Sequence, residues 1–474
     1  MFYLKKCNFF FVLVFLLTSN EKIASKEINF PKNFFLEFKK RGIHEDSIAI
    51  DIRSINGNIN INHNNERSLK PASLMKLVTT IAGLDLLGPN YRWKTNIYTN
   101  GYQRKNTLYG DLIIKGSGDP RFAHEDLWIL LRQLRSLGIK KIKGNLILDR
   151  SLFKKKPHNL GFFDNKTFRA YNVLPDALLL DAKAIHIKIK PNYVKKNINI
   201  SILPPIKNFI KSSIKTSLTK CGDWKKKLKY EFKKKSINIY GNFSIYCGEK
   251  TLILNPINLD HLNYFNLVFR QIWSELGGTI TGPMIEKSNL KGIKKLTFWS
   301  SSSLAEIIRD INKFSNNVMS RQLSLTICSE KKRRPIDEFT CTEVIKNWLR
   351  EVGIHSNTFV IENGSGLSNK ERISASVIAE LLDYAWKSPT MPEFFSSLPI
   401  AGIDGTIRKR FNNSNIRGKA HIKTGSLKDV LSMAGLLKAK SGQRLIFVFI
   451  INGSNAPKFK NKLDKLLEWI YEKY

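Results

Sequence analysis

Leu69-Lys70-Pro71-Ala72-Ser73-Leu74-Met75-Lys76 runs directly into an apolar stretch from Leu77 to Leu87. Leu74, Leu77, Ile81, Leu84 and Leu87 recur at helical spacing, which predicts a helix beginning near Ala72 with a buried face. Residues three apart share one side of a helix, so the Ser73 hydroxyl and the Lys76 amine are placed to meet. A serine beside a lysine that gives up its proton is an activated nucleophile. Taken alone, the spacing favours a helix cap followed by a solvated lysine. The decision rests on what the rest of the chain carries.

Two further motifs lie far downstream. Phe314-Ser315-Asn316-Asn317-Val318 supplies a Ser-x-Asn, and His421-Ile422-Lys423-Thr424-Gly425-Ser426 supplies a Lys-Thr-Gly. In this order, Ser-x-x-Lys, Ser-x-Asn and Lys-Thr-Gly mark penicillin-binding proteins and class A β-lactamases. The flanks extend the match: Gly116-Ser117-Gly118-Asp119-Pro120, Asn363-Gly364-Ser365-Gly366-Leu367-Ser368 and Leu398-Pro399-Ile400-Ala401-Gly402. Together they resemble the low-molecular-mass penicillin-binding proteins of the D-alanyl-D-alanine carboxypeptidase/endopeptidase type. The resemblance covers most of residues 30 to 474 and is thinnest from about 185 to 250.

The local patterns around the motifs are those of an α/β protein. Ser47 to Arg53 reads as a strand, followed by a hairpin turn at Asn56-Gly57-Asn58. Arg444 to Ile451 is a strongly apolar strand, and Phe459, Leu463, Leu466, Leu467 and Ile470 mark a final amphipathic helix. The long interval between Lys76 and Ser315 differs. Short β segments dominate it, at Asp111–Lys115, Asn145–Asp149, Ile185–Lys190, Asn197–Ile202, Ile237–Tyr246 and Thr251–Leu254, with helical pattern near Glu125–Leu137 and Leu262–Leu276. The interval is long enough for one or two domains of its own. The resemblance implies a mixed α/β fold of the penicilloyl-serine transferase (β-lactamase/transpeptidase-like) class with nested β-rich insertions. The expected division is a split catalytic domain at 26–95 and 292–474, a second domain at 96–175 and 262–291, and a third nested at 176–261.

Acyl transfer from a peptide needs a nucleophile, a proton shuttle and an oxyanion site. Ser73 is the expected nucleophile and Lys76 the expected base. An ordinary lysine has a pKa of about 10.4, and holding it neutral near pH 7 costs about 4.6 kcal/mol. Burial and a second cation, for which Lys423 is the candidate, would lower that cost. Ser315 is expected to bridge Lys76 to the leaving amine, and Asn317 to hold Lys76 or bond the substrate amide. Lys423 and Thr424 suit a terminal carboxylate, one by charge and the other as a donor. Gly425 would let a substrate backbone lie against a strand. The resemblance further implies an oxyanion hole from the N–H groups of Ser73 and Ser426, and a substrate contact at Asp149, in a segment that in the family helps recognise the diamino acid of the stem peptide. The other reading of Asp149 is a turn residue ending a strand.

These roles imply a D-Ala-D-Ala carboxypeptidase and/or DD-endopeptidase acting on peptidoglycan peptide stems and cross-links through a Ser73 acyl-enzyme. β-Lactam antibiotics would acylate the same serine as covalent inhibitors. Asn363 to Ser368 reads as a turn supporting the site, and His421 as a packing residue. No His-Glu-x-x-His or paired-cysteine spacing is present, so neither a metal nor another cofactor is expected.

Lys5 and Lys6 precede nine apolar residues, Phe9 to Leu17, with Ala24 and Ser25 beyond. This reads as a secretory signal over residues 1–25, too short to span a bilayer, and places the protein outside the cytoplasm, in the periplasm. Cys7 would leave with the signal. Cys221, Cys247, Cys328 and Cys341 remain, and of three pairings the local one, Cys221 to Cys247 and Cys328 to Cys341, closes the shortest loops.

Of the 474 residues, 42% are hydrophobic, ample for more than one core. The formal net charge is +39. Basic residues spread along the chain without a nucleic-acid-binding motif, so no nucleic-acid partner is expected. The abundance of Lys, Asn and Ile together fits a compositional bias toward A and T in the coding sequence, and long-range attraction to an anionic wall or membrane surface is the other reading. Two rivals stay open at this level. A class A-like β-lactamase shares the motif trio but needs a carboxylate-activated water, for which no segment stands out. A non-enzymatic basic protein binding cell wall or nucleic acid would use charge alone.

Overall fold

The computed structural model describes residues 30, 34–55, 57–155, 166–234, 236–332 and 335–474. The expected signal segment and Cys7 lie outside the described residues, as does Asn56 of the expected hairpin turn.

A five-stranded antiparallel sheet joins the two ends of the chain. Its order is Ala420–Leu427, Val430–Lys438, Arg444–Asn452, Ile48–Ser54 and Asn60–His63. The strand Arg444–Asn452 is apolar without alternation because both of its faces are covered. Ile446, Val448 and Ile450 pack into one core with the helices Met75–Leu87, Leu304–Lys313, Asn317–Lys331, Glu338–Glu351 and Ala375–Lys387. Leu445, Phe447, Phe449 and Ile451 pack into another, with Phe34, Phe38 and the terminal helix Lys460–Lys473. The result is a sheet between two helical layers.

The Ser73 segment departs from the expected continuous helix. Ala72–Leu74 forms a single 3₁₀ turn, with Ala72 at φ 49°, and the α-helix begins at Met75. Every residue from Met75 to Leu84 is buried, on all sides of the helix and not on one face. This helix therefore runs through the centre of its layer.

Among the described residues, the interval between Lys76 and Ser315 holds four more sheets. The chain leaves along Lys94–Thr99 and returns along Lys294–Ser300, which pair antiparallel. These two belong to a five-stranded sheet with Met284–Glu286, Leu146–Asp149 and Leu112–Lys115. A four-stranded sheet and the helices His124–Ser136 and His261–Glu275 complete that region. Beyond it lie two three-stranded sheets, one of Asn197–Leu203, Ile185–Asn192 and Lys250–Leu254, the other of Ile210–Ser217, Ser236–Ser244 and Leu228–Lys233. Both expected disulfides, Cys221–Cys247 and Cys328–Cys341, are formed.

Candidate active site

The three motifs converge from three elements. Ser73 lies on the 3₁₀ turn and Lys76 in the first turn of the helix behind it. Ser315 occupies the two-helix junction between Leu304–Lys313 and Asn317–Lys331, in the left-handed region at φ 54°. Asn316 caps the second helix by accepting from the Met319 N–H, which fixes the direction of Asn317. Lys423 and Thr424 sit on the edge strand Ala420–Leu427.

Lys76 is fully buried. Its Nζ lies 3.0 Å from Ser73 Oγ and 2.6 Å from Asn317 Oδ1, and it also donates to the Ser365 carbonyl. An uncharged amine has two N–H bonds and one lone pair. With the two N–H bonds directed at the Asn317 and Ser365 oxygens, the lone pair faces the Ser73 hydroxyl. Burial holds the Lys76 pKa well below the ordinary lysine value, the Lys423 charge lowers it further, and Glu371 opposes both. Burial is the larger of the two lowering causes.

Lys423 is also fully buried, and burial brings its pKa down to about 7. Its Nζ donates to Ser315 Oγ at 2.9 Å and to the Thr424 carbonyl at 2.9 Å. Ser315 was expected to reach Lys76; it pairs with Lys423 instead. Thr424 faces the exposed Thr406, whose hydroxyl lies 3.3 Å away.

Gly425 is required by the packing around it: a Cβ there would sit 2.3 Å from Ser432 Oγ and 2.9 Å from both the Ser73 nitrogen and the Pro71 carbonyl, so the missing side chain admits the Ser73 turn. This close approach brings the backbone at Ser73 beside the strand that carries Ser426, the arrangement expected for paired oxyanion donors.

The Asn363–Ser368 stretch supports the site, as read from sequence. Gly366, at φ +83°, lets the loop press on the Ala72 carbonyl, where a Cβ would lie 1.9 Å away. Glu371 holds this loop. It is completely buried, and its Oε1 accepts from the N–H groups of Glu362, Asn363 and Gly364 at 3.2, 3.0 and 3.2 Å. Burial raises its pKa, and the three backbone bonds oppose that rise. Lys313 ties the other wall together by donating to the Leu398 carbonyl at 2.8 Å and to Asp404 at 2.6 Å.

Asp149 does not join this cluster. One carboxylate oxygen accepts from the Ser151 N–H and hydroxyl at 3.0 and 2.6 Å, and the other faces Lys115 at 3.8 Å. That is the geometry of a turn residue at the end of its strand. His421 packs, its Nδ1 2.8 Å from the Phe395 carbonyl. Among the described residues, one group brings three metal-type ligand atoms within 4.8 Å: His124, Glu125 and Asp181. His124 Nδ1 is already 2.8 Å from Asp181. Sequence reasoning missed Glu371, Thr406 and Lys313. Nothing in their local sequence distinguishes them, because tertiary packing alone brings them to the site.

A serine beside a buried lysine, with a second serine–lysine pair next to it on an edge β-strand, defines an acyl-transferring serine hydrolase of the penicillin-recognising class. The chain belongs to the D-Ala-D-Ala carboxypeptidase 3 (S13) family, which matches residues 38–473. It is accordingly a serine-type D-Ala-D-Ala carboxypeptidase. Among relatives, it is 26% identical over 458 residues to a D-alanyl-D-alanine carboxypeptidase, DacB, of Haemophilus influenzae, covering 94% of this chain and 91% of that one. The fold is similar to the crystal structure of penicillin binding protein 4 from the same organism, with a TM-score of 0.77 at 23% identity, over 93% of this chain and 99% of the other. It is also similar to a predatory endopeptidase of Bdellovibrio bacteriovorus, with a TM-score of 0.52 at 15% identity, over 90% and 93% of the two chains.

Proposed function

We propose that Ser73 attacks the carbonyl of the penultimate D-alanine of a peptidoglycan stem, with Lys76 as the base and Ser315 and Lys423 as the route by which the leaving amine gains its proton. The observation that carries this is the uncharged-lysine geometry at Ser73, where two fixed oxygens take the Lys76 N–H bonds and leave its lone pair for the hydroxyl. When two titratable groups in one site have their pKa values pushed apart, the lower serves as base and the higher as acid. Burial lowers both lysines, and the charge of Lys423 pushes Lys76 down further, which suits Lys76 to the base role; Lys423, at about 7, still carries a proton for part of the time at neutral pH.

The Ser73 Oγ–C bond forms as Lys76 takes the hydroxyl proton. The oxyanion rests on the N–H groups of Ser73 and Ser426. The C–N bond to D-alanine then breaks, the amine receiving a proton through Ser315, and water later cleaves the acyl-enzyme. Asn317 positions Lys76. Thr424, with Thr406 beside it, binds the terminal carboxylate, and Lys423 adds its charge from behind. The same chemistry serves a peptide cross-link, so carboxypeptidase and endopeptidase action share one site. β-Lactams enter as substrate mimics that acylate Ser73. Asp149, away from this cluster with its carboxylate held by Ser151 and facing Lys115, is kept as the proposed contact to the diamino acid of the stem.

The proposal includes the division into a split catalytic domain, 26–95 with 292–474, and nested domains at 96–175 with 262–291 and at 176–261. It also includes export to the periplasm with loss of residues 1–25. The two disulfides suit an oxidising compartment, and among the described residues no helix is long and apolar enough to cross a membrane. The net charge of +39 supports peripheral attraction to anionic envelope surfaces. D-Alanine release from a pentapeptide stem tests the mechanism. Release is expected to vanish in Ser73→Ala, and unchanged release in that variant would refute it.

A further inference from the structure

The basic charge is not evenly distributed. Residues 185–254 hold sixteen lysines against Asp223, Glu231 and Glu249, which is one third of the net +39 in about one seventh of the chain. A uniform compositional bias would spread lysines in proportion to length.

One end of the two three-stranded sheets in this region combines those lysines with exposed apolar side chains. Tyr193 and Val194 form the turn between Ile185–Asn192 and Asn197–Leu203, and are 62% and 92% exposed. Leu218, just beyond the strand Ile210–Ser217, is 75% exposed, and Tyr246 is 66% exposed. Hydrogen bonds show that these segments are neighbours. Tyr193 donates its hydroxyl to the Ile245 carbonyl at 3.2 Å, Thr216 donates to the Lys196 carbonyl at 3.1 Å, and Ser244 donates to the Thr219 carbonyl. The Cys221–Cys247 disulfide ties two of them covalently.

The turn is also held in shape, with Asn192 Oδ1 accepting from the N–H groups of Val194 and Lys195 at 3.1 and 2.9 Å. Val194 is therefore presented outward on a fixed turn. Lys195, Lys196, Lys220, Lys225 and Lys227 surround the apolar group and are all exposed. Two acids accompany them, Asp223, engaged by Lys226 at 3.2 Å, and the exposed Glu249, three residues past Tyr246. None of these segments contributes a residue to the Ser73 cluster.

We propose that this end of the molecule is a docking tip for an anionic phospholipid surface. Lysines alone would suit any polyanion. Val194 and Leu218, held out in water with lysines around them, are matched by a lipid interface, where aliphatic side chains enter the acyl boundary, tyrosines lie at headgroup level and lysines meet anionic headgroups. A polysaccharide or nucleic acid offers no apolar phase for the two aliphatic groups. The proposal goes beyond general charge attraction by assigning membrane contact to one place.

The test is sedimentation of the full-length exported protein with vesicles of phosphatidylcholine alone or mixed with phosphatidylglycerol. Wild type is expected on the mixed vesicles and not on the neutral ones. Val194→Ser combined with Leu218→Ser should weaken binding roughly tenfold, the scale for losing two partly inserted aliphatic groups, and Lys195→Ser with Lys196→Ser should weaken it comparably. Penicillin acylation of Ser73 should stay at the wild-type rate in all of these variants, confirming a folded catalytic region. If the lysine variant loses binding while the aliphatic variant keeps it, the tip insertion is wrong and general charge attraction survives. Absence of wild-type binding to mixed vesicles would overturn both.

Discussion

Lys423 Nζ lies 2.9 Å from Ser315 Oγ, so the serine of the second motif is coupled to the lysine of the third and not to Lys76. The site therefore contains two serine–lysine pairs side by side, Ser73 with Lys76 and Ser315 with Lys423. Both lysines are buried without a carboxylate bonded to either nitrogen. Their proximity makes it costly for both to be charged at once. Proton removal at one pair and delivery at the other follow from that arrangement.

Removing Lys76 should abolish the base. Lys76→Ala is expected to slow penicillin acylation at least about a hundredfold, the usual scale for a general base. Stopped-flow acylation kinetics measure this, and near-normal rates would assign the base elsewhere. Ser315→Ala should leave the first proton transfer intact and slow D-alanine release more than attack on a β-lactam. Equal slowing of the two reactions would argue against a leaving-group role.

The pH dependence carries a sign that can be worked out. Lys423 has an ordinary lysine pKa when unfolded and one of about 7 when folded. Between those values the unfolded chain binds the extra proton, so this group's contribution to stability increases as pH rises through that window and is lost as pH falls through about 7. Lys423→Met removes the group. The melting-temperature advantage of Lys423→Met over wild type should be largest near neutral pH and below, and should shrink toward pH values near an ordinary lysine pKa. A constant difference across that range would mean that Lys423 is not desolvated as the structure has it.

Thr406 was invisible in the sequence and lies 3.3 Å from Thr424. If the two hydroxyls share the substrate carboxylate, Thr406→Ala loses one hydrogen bond to a charged group, worth about 1.5–3 kcal/mol. KM for a stem peptide ending in a free carboxylate should rise roughly tenfold or more. A stem amidated at that end should show little further loss, and an equal loss for both peptides would remove Thr406 from the carboxylate site.

Gly366→Ala introduces a Cβ 1.9 Å from the Ala72 carbonyl at a backbone φ of +83°. The loop or the nucleophile turn must shift, at a cost of about 1–3 kcal/mol from the backbone conformation alone. Denaturant titration should show that loss, and acylation should fall in the protein that remains folded. Wild-type stability would mean that the contact between this loop and Ala72 is not tight.

Much of this site was legible because its chemistry is local in sequence. Ser73 and Lys76 are one helical turn apart, Ser315 and Asn317 flank a helix cap, and Lys423 and Thr424 are consecutive on a strand. Long apolar runs such as Arg444–Asn452 and periodic ones such as His261–Glu275 were equally readable. Short strands such as Lys141–Lys143 and Thr279–Ile280 were missed, since two or three residues carry no measurable period and form only through their partners. The same holds for Glu371. Its sequence, Lys370-Glu371-Arg372, reads as solvated charge, yet the three N–H groups that retain it come from residues seven to nine positions earlier. The pairing of Ser315 with Lys423 was unreadable for a further reason: the motifs name the residues but not which of two lysines a hydroxyl will face.

The most direct test of the central claim is mass spectrometry of the intact protein after brief exposure to benzylpenicillin, followed by digestion to locate the adduct. The account predicts one penicilloyl group, long-lived after removal of free drug, on the peptide containing Ser73, and none in Ser73→Ala. An adduct on any other residue, or one that is turned over within the time of a β-lactamase cycle, would contradict it.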